Sequence, residues 1–301
     1  MKEQSIKSLD GGKAFDWGRV SSDYAKYLDI YPPAFYRAIL DRGLCRDGQR
    51  ILDLGTGTGV LPRNLYAFGG DWTGVDISAE QIAQAKRLST GLKIDYRVAS
   101  VEEMDFPPAS FDVITACQCF WYFRHEQIAT RLARLLKPNG RLLVLCMEWL
   151  PYEDEIAGRS EALVLKYSPR WSGAGATVQP IEIPDGYKDA FDVVGHDEFR
   201  LSVPFTRETW HGRMKACRGV GALLAPDELS AWEAEHRKML DETAPEALDV
   251  LHYAAWAELR VKPFRRSTPL EVGTRRHEPV RLALPSHLYK CEGSKLCRLR
   301  N

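Results

Sequence analysis

The segment that most constrains the fold of this chain runs from residue 51 to residue 61. It opens with a short apolar run, Ile51 to Leu54, which has the length of a buried parallel strand. Apolar residues recur at helical spacing from Val60 onward, and between the two runs lie three glycines at alternate positions, Gly55, Gly57 and Gly59. The segment therefore predicts a strand, a tight turn and a helix, which together direct backbone N–H groups toward the space above the strand end.

The spacing of these glycines separates two kinds of cofactor site. Dinucleotide sites carry G-x-G-x-x-G, with a pyrophosphate over the helix N-terminus. Here the third glycine comes one residue early, which gives G-x-G-x-G. Asp53, two residues before the first glycine, is badly placed for a pyrophosphate and well placed for a cationic ligand. A tight turn that binds no ligand is the alternative at this point.

The same residues resemble motif I of class I S-adenosylmethionine (SAM) dependent methyltransferases. In that family the loop cradles the methionine part of the cofactor. The resemblance implies SAM as the cofactor and four loop residues as part of its site, namely Asp53, Gly55, Thr56 and Gly57.

Composition restricts the function classes. The chain has 301 residues, of which 45% are apolar, and no apolar run approaches the length of a membrane span or a signal peptide. Its seven cysteines are scattered, which favours reduced thiols and a cytoplasmic location. From Lys262 onward ten Lys and Arg stand against three Asp and Glu, so the acids are in excess in the rest of the chain. An acidic body argues against a nucleic-acid partner.

Two short helices are predicted before the first strand. Ser21 or Ser22 can cap a helix that carries Tyr24 and Tyr27 on one face, and Pro33 can begin a second helix. In the methyltransferases that this chain resembles, an aromatic N-terminal helix pair lies over the cofactor. The resemblance implies that Tyr24 contacts the cofactor and Tyr27 the substrate. The alternative is that both tyrosines only pack the helix on the sheet.

A second strand is predicted to end in an acid, Asp76. This residue follows Gly55 by roughly the twenty residues at which a ribose-binding carboxylate occurs in such folds. Ser78 and Gln81 have the spacing of a capping box at the start of the next helix. We expect Asp76, Ile77 and Gln81 to contact the cofactor. Asp76 can also be a plain helix-start acid, and it fits a dinucleotide site equally well.

A third strand, residues 93–98, leads into a segment that resembles the adenine-reading part of the methyltransferases. We assign that role to Ser100, Val101 and Glu102. The family more often shows Asp-Ala at the start of this segment, so contacts through the backbone are expected here.

The fourth strand, residues 110–116, is apolar on both faces and is therefore predicted to be central. Ligands of open α/β sheets lie at the carboxyl ends of the strands. We therefore expect Cys117 and Gln118 to face the cofactor, and Trp121 and Tyr122 to face the substrate.

A helix from His125, a stop at residues 137–140 and a fifth strand, residues 141–147, complete this half. The phrase at residues 135–145 resembles the stretch after motif IV in small-molecule methyltransferases of the ubiquinone/menaquinone-biosynthesis type (methyltransferase type 11). The resemblance holds in order and spacing from residue 15 to residue 147.

The second half of the chain is less regular. We predict a helix within 151–166, a long loop over 168–184 that holds Trp171, strands at 191–203 and 248–261, and helices at 205–217 and 226–240. The helices between the strands are interpreted as a cap that sets substrate specificity. The tail contains paired arginines and scattered prolines, and is predicted to be disordered, with nucleic-acid binding as the alternative.

The predicted class is α/β, a Rossmann-like doubly wound, seven-stranded and mostly parallel sheet with a helical cap inserted in the C-terminal half. The predicted regions are a helical lid (1–48), the SAM-binding core (49–149), the remaining sheet with the substrate cap (150–262) and the basic tail (263–301).

Methyl transfer from a sulfonium is an in-line displacement whose leaving group needs no proton, so no catalytic triad is expected. Aromatic faces attract a desolvated sulfonium. The aromatic residues that are candidates for contact with the sulfonium or with the substrate are Tyr24, Tyr27, Trp121, Tyr122, Trp149 and Trp171. A base helps when the nucleophile is a hydroxyl, and His125 is the first candidate and Glu148 the second, although each can be structural.

No metal site of zinc-type spacing is present, while thiol binding of a soft metalloid by Cys117 and Cys119 stays a minor alternative. The aromatic inventory and the acidic body favour a neutral or cationic acceptor. A nicotinamide-dependent oxidoreductase and a non-catalytic SAM-binding protein are the rival functions.

Overall fold

The computed structural model describes residues 9–263. Its sheet has the strand order β3-β2-β1-β4-β5-β7-β6. The strands are β1 (Arg50–Leu54), β2 (Asp71–Asp76), β3 (Ile94–Val98), β4 (Phe111–Cys117), β5 (Leu136–Trp149), β6 (Phe191–Thr206) and β7 (Ala247–Val261). The first five are parallel, and β7 pairs antiparallel with both β5 and β6. The predicted seven-stranded, mostly parallel α/β fold is confirmed.

Residues 9–263 contain eight α-helices, two before β1 and six between strands. They are α1 (Ser21–Tyr27), α2 (Pro33–Leu40), α3 (Val60–Leu65), α4 (Ala79–Leu88), α5 (His125–Leu135), α6 (Glu155–Tyr167), α7 (Arg207–Lys215) and α8 (Pro226–Thr243). The caps follow local chemistry, since the Ser78 hydroxyl accepts from the Gln81 N–H at the start of α4. Thr206 and Thr209 form a reciprocal capping box at the start of α7.

Side chains of the central strands bury both faces of the sheet. Ile51 and Val113 lie in the core on one face, while Leu52 and Ile114 lie in the core on the other. This alternation follows from the period of two in a strand, and it explains why β1 and β4 read as continuous apolar runs.

The beginning of the fifth strand differs from the prediction. Helix α5 ends at Leu135 as expected, but extended backbone resumes at once at Leu136, which pairs with Phe111. A register shift on β4 between Phe111 and Val113 follows. Residues 137–140, predicted as a helix stop, therefore lie within β5, and Asn139 has the left-handed φ of +65° that a turn residue tolerates.

The long hairpin of β6 and β7 frames the second half of the fold. The two strands pair from Phe191 and Val261 to Thr206 and Ala247, and α7 and α8 are inserted between them. Residues 168–184, predicted as a long loop, contain no helix or strand.

None of the helices in residues 9–263 combines the length and the apolar character needed to cross a membrane. The predicted basic tail lies outside the described residues from residue 264 onward, as do residues 1–8.

Two buried histidines join α7 to α8 behind the sheet. The Nδ1 atoms of His211 and His236 are 2.9 Å apart, and His236 Nε2 is 3.0 Å from the Ser160 hydroxyl on α6. Burial lowers the pKa of both imidazoles, and the neighbouring Arg237 lowers them further. The folded chain therefore holds this pair neutral, whereas the unfolded chain protonates it near pH 6.5.

We predict that the free energy of unfolding falls as the pH drops from about 6.5 toward 4, because the unfolded chain then binds protons that the folded chain refuses. The slope approaches about 1.4 kcal/mol per pH unit for each histidine involved. Urea titrations at pH 7, 6 and 5 measure it. His236→Gln removes one titrating group and flattens the slope, and His196→Gln, at an exposed site on β6, is the matched control. Equal slopes in all three proteins would contradict the prediction.

Candidate functional site

A cavity of about 520 Å³ lies at the carboxyl ends of β1, β2 and β4. Ten of the thirteen predicted cofactor residues line it, namely Tyr24, Gly55, Gly57, Asp76, Ile77, Gln81, Ser100, Val101, Glu102 and Gln118. These residues come from five separate segments of the chain, and the parallel strands bring four of those segments to one edge of the sheet. We call this space the smaller cavity.

The glycine loop forms the floor of the smaller cavity. Gly55, Gly57 and Gly59 have φ values of +56°, +55° and +74°, which side chains rarely allow. A Cβ atom at Gly57 would meet nothing within 4 Å, because that side of the residue is open. A Cβ atom at Gly59 would lie 2.2 Å from the Tyr96 hydroxyl, so this glycine is required for packing.

Asp53 holds this loop from beneath. It is only 2% exposed, and it accepts hydrogen bonds of 2.6 Å from the hydroxyls of Thr56 and Thr115. Burial raises the pKa of its carboxyl to about 6, against the effect of the two hydroxyls. Asp53 and Thr56 do not line either cavity described here, and their hydrogen bond supports the geometry of the loop; their contact with a cofactor stays a prediction.

Cys117 is also displaced from its expected position. Its thiol lies 3.4 Å from the hydroxyl of Tyr31 and does not line the smaller cavity. The neighbouring Cys119 thiol donates to the Leu54 carbonyl at 3.1 Å. The two sulfurs therefore have separate partners, and residues 9–263 contain no group of three or more His, Cys, Asp or Glu arranged to hold a metal ion.

Asp76 fixes a carboxylate at the wall of the smaller cavity. Its two oxygens accept from the Gly57 N–H at 2.9 Å and the Ser78 N–H at 2.8 Å. Burial raises its pKa, and these backbone N–H groups lower it. Nearby, the Oε1 atoms of Gln81 and Gln118 are buried and have no hydrogen-bond partner within the described residues. A ligand with polar groups would satisfy them.

A second space of about 1100 Å³ adjoins the first, and we call it the larger cavity. The two share four wall residues, Trp17, Tyr24, Gln118 and Tyr122. The predicted substrate residues Trp121, Tyr122, Trp149 and Trp171 line the larger cavity, as do both candidate bases, His125 and Glu148. A group bound in one cavity can therefore face a group bound in the other.

Tyr27 is the exception among the predicted substrate residues. Its hydroxyl donates to Glu208 at 2.6 Å, and its ring packs against Gly212 on α7. It lines neither cavity, and these contacts fasten α1 to α7; its assignment as a substrate residue stays a prediction. Residues three apart on a helix share a face only approximately, so Tyr24 can line the cavities while Tyr27 packs on α7.

The two candidate bases have different electrostatic surroundings. Burial raises the pKa of Glu148 to about 7, with Arg213 and Arg218 opposing the shift and Glu161 adding to it. Burial lowers the pKa of His125, whose Nδ1 lies 3.2 Å from the Tyr187 hydroxyl and whose ring packs on Phe120. Glu148 is thus poised near neutrality, which suits a general base.

The sequence did not single out several residues that line these cavities, and three of them, Trp17, Arg213 and Arg218, matter for the chemistry. Trp17 lines both cavities and lies in a short aromatic segment that the sequence does display. Arg213, late in α7, and Arg218, just beyond its end, line the larger cavity, but no spacing in the sequence marks either of them.

Comparison with known proteins connects this geometry to a family. The family described as "Methyltransferase domain" matches residues 52–144. The chain is 30% identical over 164 residues to the ubiquinone biosynthesis O-methyltransferase of Dechloromonas aromatica. The alignment covers 53% of this chain and 70% of that relative. It is 37% identical over 131 residues to the protein of the same name from Bradyrhizobium diazoefficiens. That alignment covers 42% of this chain and 51% of that relative. The YcgJ protein of Bacillus subtilis aligns with 76% of this chain and 99% of its own length, at 17% identity and a TM-score of 0.48.

We predict that substitution of two nearby glycines impairs different properties: ligand binding at Gly57 and stability at Gly59. Gly57→Ala costs only the strain of a left-handed alanine, about 1–2 kcal/mol, but it projects a methyl group into open space beside the smaller cavity, so binding of S-adenosylhomocysteine is lost. Gly59→Ala collides with Tyr96, so the stability falls further. Calorimetric titration and thermal unfolding separate the two. Full ligand binding by a folded Gly57→Ala protein would contradict the assignment of the loop.

Proposed function

The chain belongs to the SAM-dependent methyltransferases of the methyltransferase-domain family, and from that premise we propose that it methylates a hydroxyl group of a small organic acceptor. The observation that carries the proposal is the pair of adjoining cavities with a common wall of Trp17, Tyr24, Gln118 and Tyr122. The names of the relatives support oxygen as the methylated atom. Nothing in the comparisons supports a nicotinamide-dependent oxidoreductase.

The smaller cavity is proposed to bind SAM. The unpartnered oxygens of Gln81 and Gln118 and the open side of Gly57 fit a ligand rich in polar groups. Asp76 would accept hydrogen bonds from ribose hydroxyls, and the segment Ser100–Glu102 would contact the adenine. When bound, SAM supplies an electrophilic methyl group on a sulfonium.

The contribution of the chain to the reaction is mainly alignment. The shared wall holds an acceptor opposite the cofactor, and holding two reactants in line is worth roughly 7–11 kcal/mol. Three of its four members are aromatic residues, whose ring faces attract cations by about 2 kcal/mol when water is excluded. Ring packing between Trp17, Tyr24 and Tyr122 fixes these faces, with centroids 5.6–6.0 Å apart.

Glu148 is proposed to hold the proton that the acceptor hydroxyl releases. Its carboxylate lines the larger cavity at the end of β5, and its pKa near 7 lets it accept a proton at neutral pH. His125 has its Nδ1 beside Tyr187, so we assign it to the wall of the cavity.

The regions predicted from the sequence acquire roles under this proposal. The N-terminal segment up to residue 48 supplies Trp17 and Tyr24 and acts as a lid over the shared wall. Residues 49–149 form the cofactor core, and the segment 150–262 supplies the acceptor side through its long loop and α7. The cytoplasmic location and the absence of a nucleic-acid partner stay predictions.

We predict that Asp76→Ala weakens binding of S-adenosylhomocysteine at least about tenfold, because hydrogen bonds to a charged group are worth about 1.5–3 kcal/mol each. The same variant also loses stability, since Asp76 anchors the N–H groups of Gly57 and Ser78. Isothermal titration measures the affinity. Asp71→Ala, at the exposed opposite end of β2, is the matched control. Wild-type affinity in Asp76→Ala would refute the cofactor placement.

We predict that the rate of methyl transfer to a hydroxyl acceptor rises with pH through about 7 in the wild type and loses this rise in Glu148→Gln. The pH dependence of stability provides a second test of Glu148 that needs no acceptor. Because the raised pKa of Glu148 means that the folded chain holds a proton the unfolded chain releases, the contribution of Glu148 to stability falls as the pH rises from about 4.5 to 7, opposite in sign to that of the histidine pair. Glu148→Gln therefore stabilises the protein more at pH 8 than at pH 5.

Glu126→Gln, at an exposed position on α5, serves as the control for both measurements. A Glu148→Gln protein with the wild-type pH dependence in both readouts would exclude Glu148 as the proton acceptor.

A further inference from the structure

Arg213 carries a buried positive charge that no acid neutralises at close range. It lies on α7, is 7% exposed and lines the larger cavity but not the smaller one. Its Nε atom is buried and has no hydrogen-bond partner, and no carboxylate of residues 9–263 lies within 4.0 Å of its guanidinium. A guanidinium cannot shed its proton in a protein, so this charge persists.

The neighbouring Arg218 shows what a neutralised guanidinium looks like in the same cavity. It is equally buried, at 6% exposed, and it forms an ion pair with Asp10 and a hydrogen bond of 3.1 Å to the Ser172 hydroxyl. Its Nε atom is also buried without a partner, but the ion pair with Asp10 neutralises its charge, so the fold itself explains Arg218. The fold does not explain Arg213, because a buried charge without a partner destabilises the protein that carries it.

The surroundings of Arg213 hold the group in place without neutralising it. Its guanidinium lies 5.0 Å from the centre of the Trp149 ring. That ring is fixed by a hydrogen bond of 2.9 Å from its Nε1 to Glu161, whose other oxygen accepts from the Gly175 N–H at 2.9 Å. Both oxygens of Glu161 are thus engaged by other donors. Glu148 shares the cavity, and the charge of Arg213 lowers its pKa, but the two groups form no ion pair of 4.0 Å or less.

Resting on the proposed function, we infer that the methyl acceptor is an organic acid whose carboxylate binds Arg213, with its apolar body against the aromatic walls of the larger cavity. The planar fork of a guanidinium matches a carboxylate in geometry, and the pair is strong where water is excluded. The sequence favoured a neutral or cationic acceptor, and the inference reverses that expectation. The overall charge of the chain is irrelevant where a single buried charge faces the ligand.

In this arrangement Arg213 and Glu148, two charged groups of the larger cavity, have different roles. Arg213 binds the carboxylate of the acceptor and fixes its orientation, and Glu148 accepts the proton of the hydroxyl. The O–H bond breaks as the oxygen takes the methyl group, so the proton resides on Glu148 and the demethylated cofactor leaves as a neutral thioether. Arg213 is a binding and specificity residue and takes part in no proton transfer.

The test uses acceptors that differ in charge and share a body. The panel consists of hydroxylated aromatic acids, each with its primary amide and its amine analogue, beginning with 4-hydroxyphenylacetate, 4-hydroxyphenylacetamide and tyramine. Each is titrated calorimetrically into the full chain saturated with S-adenosylhomocysteine, and methyl transfer from radiolabelled SAM is measured in parallel. We expect the wild type to prefer acids over their amides by about 30-fold or more, the usual effect of a buried charged pair.

Three variants assign the preference to one side chain. Arg213→Met, similar in length and uncharged, abolishes the preference for acids and leaves the affinity for S-adenosylhomocysteine unchanged, while Arg213→Lys retains part of the preference. Arg207→Met, at the start of the same helix and outside both cavities, leaves the preference intact. In thermal unfolding without ligand, Arg213→Met melts no lower than the wild type, whereas Arg218→Met melts lower because Asp10 is left unpaired.

Several results would overturn the inference. They are equal or better binding of the amides or amines by the wild type, retention of the acid preference by Arg213→Met, no binding of any acid by a chain that binds S-adenosylhomocysteine, and a melting temperature of Arg213→Met as low as that of Arg218→Met. A chain that binds neither S-adenosylhomocysteine nor SAM would instead refute the proposed function, so the two failures are distinguishable.

Discussion

Two carboxylates, the buried Asp53 and the half-buried Asp76, support the glycine loop, and the smaller cavity depends on them. A run of left-handed glycines has no side chains of its own with which to hold its shape. Asp53 fixes the loop from below through two threonine hydroxyls, and Asp76 fixes it from the side through the Gly57 N–H. Each carboxylate is held against the cost of its burial by hydrogen bonds that favour its charged form.

The loop then determines where everything else must lie. Because β1, β2 and β4 are parallel neighbours, their carboxyl ends meet above the loop, and the segments that follow them form the walls of the smaller cavity. The N-terminal helix α1 and the short aromatic segment before it close the top through Trp17 and Tyr24. The shared wall with the larger cavity is therefore built from parts of the chain that are far apart in sequence, and no single segment carries it.

The cap helices supply a charged side chain to the larger cavity, whereas the core sets the shape of the smaller cavity. Its helices are inserted into the long hairpin of β6 and β7, and α7 brings Arg213 to the larger cavity while α8 packs behind it through the histidine pair. An unpaired guanidinium is a cost to stability that a binding site can carry, since functional groups are often poorly satisfied until a ligand arrives. The adjacent Arg218, paired with Asp10, carries no such cost.

The sequence by itself determined the strand–turn–helix of the glycine loop, the seven-stranded, mostly parallel α/β class, and ten of the eighteen residues that line the smaller cavity. It could do so because turn chemistry, apolar periodicity and strand-end position are local properties. Only the tertiary structure decided that Asp53 supports the loop, that Tyr27 packs on α7, and that Arg213 stands unpaired in the larger cavity. Those outcomes depend on which group of a distant segment lies opposite a side chain, and spacing along the chain does not encode that.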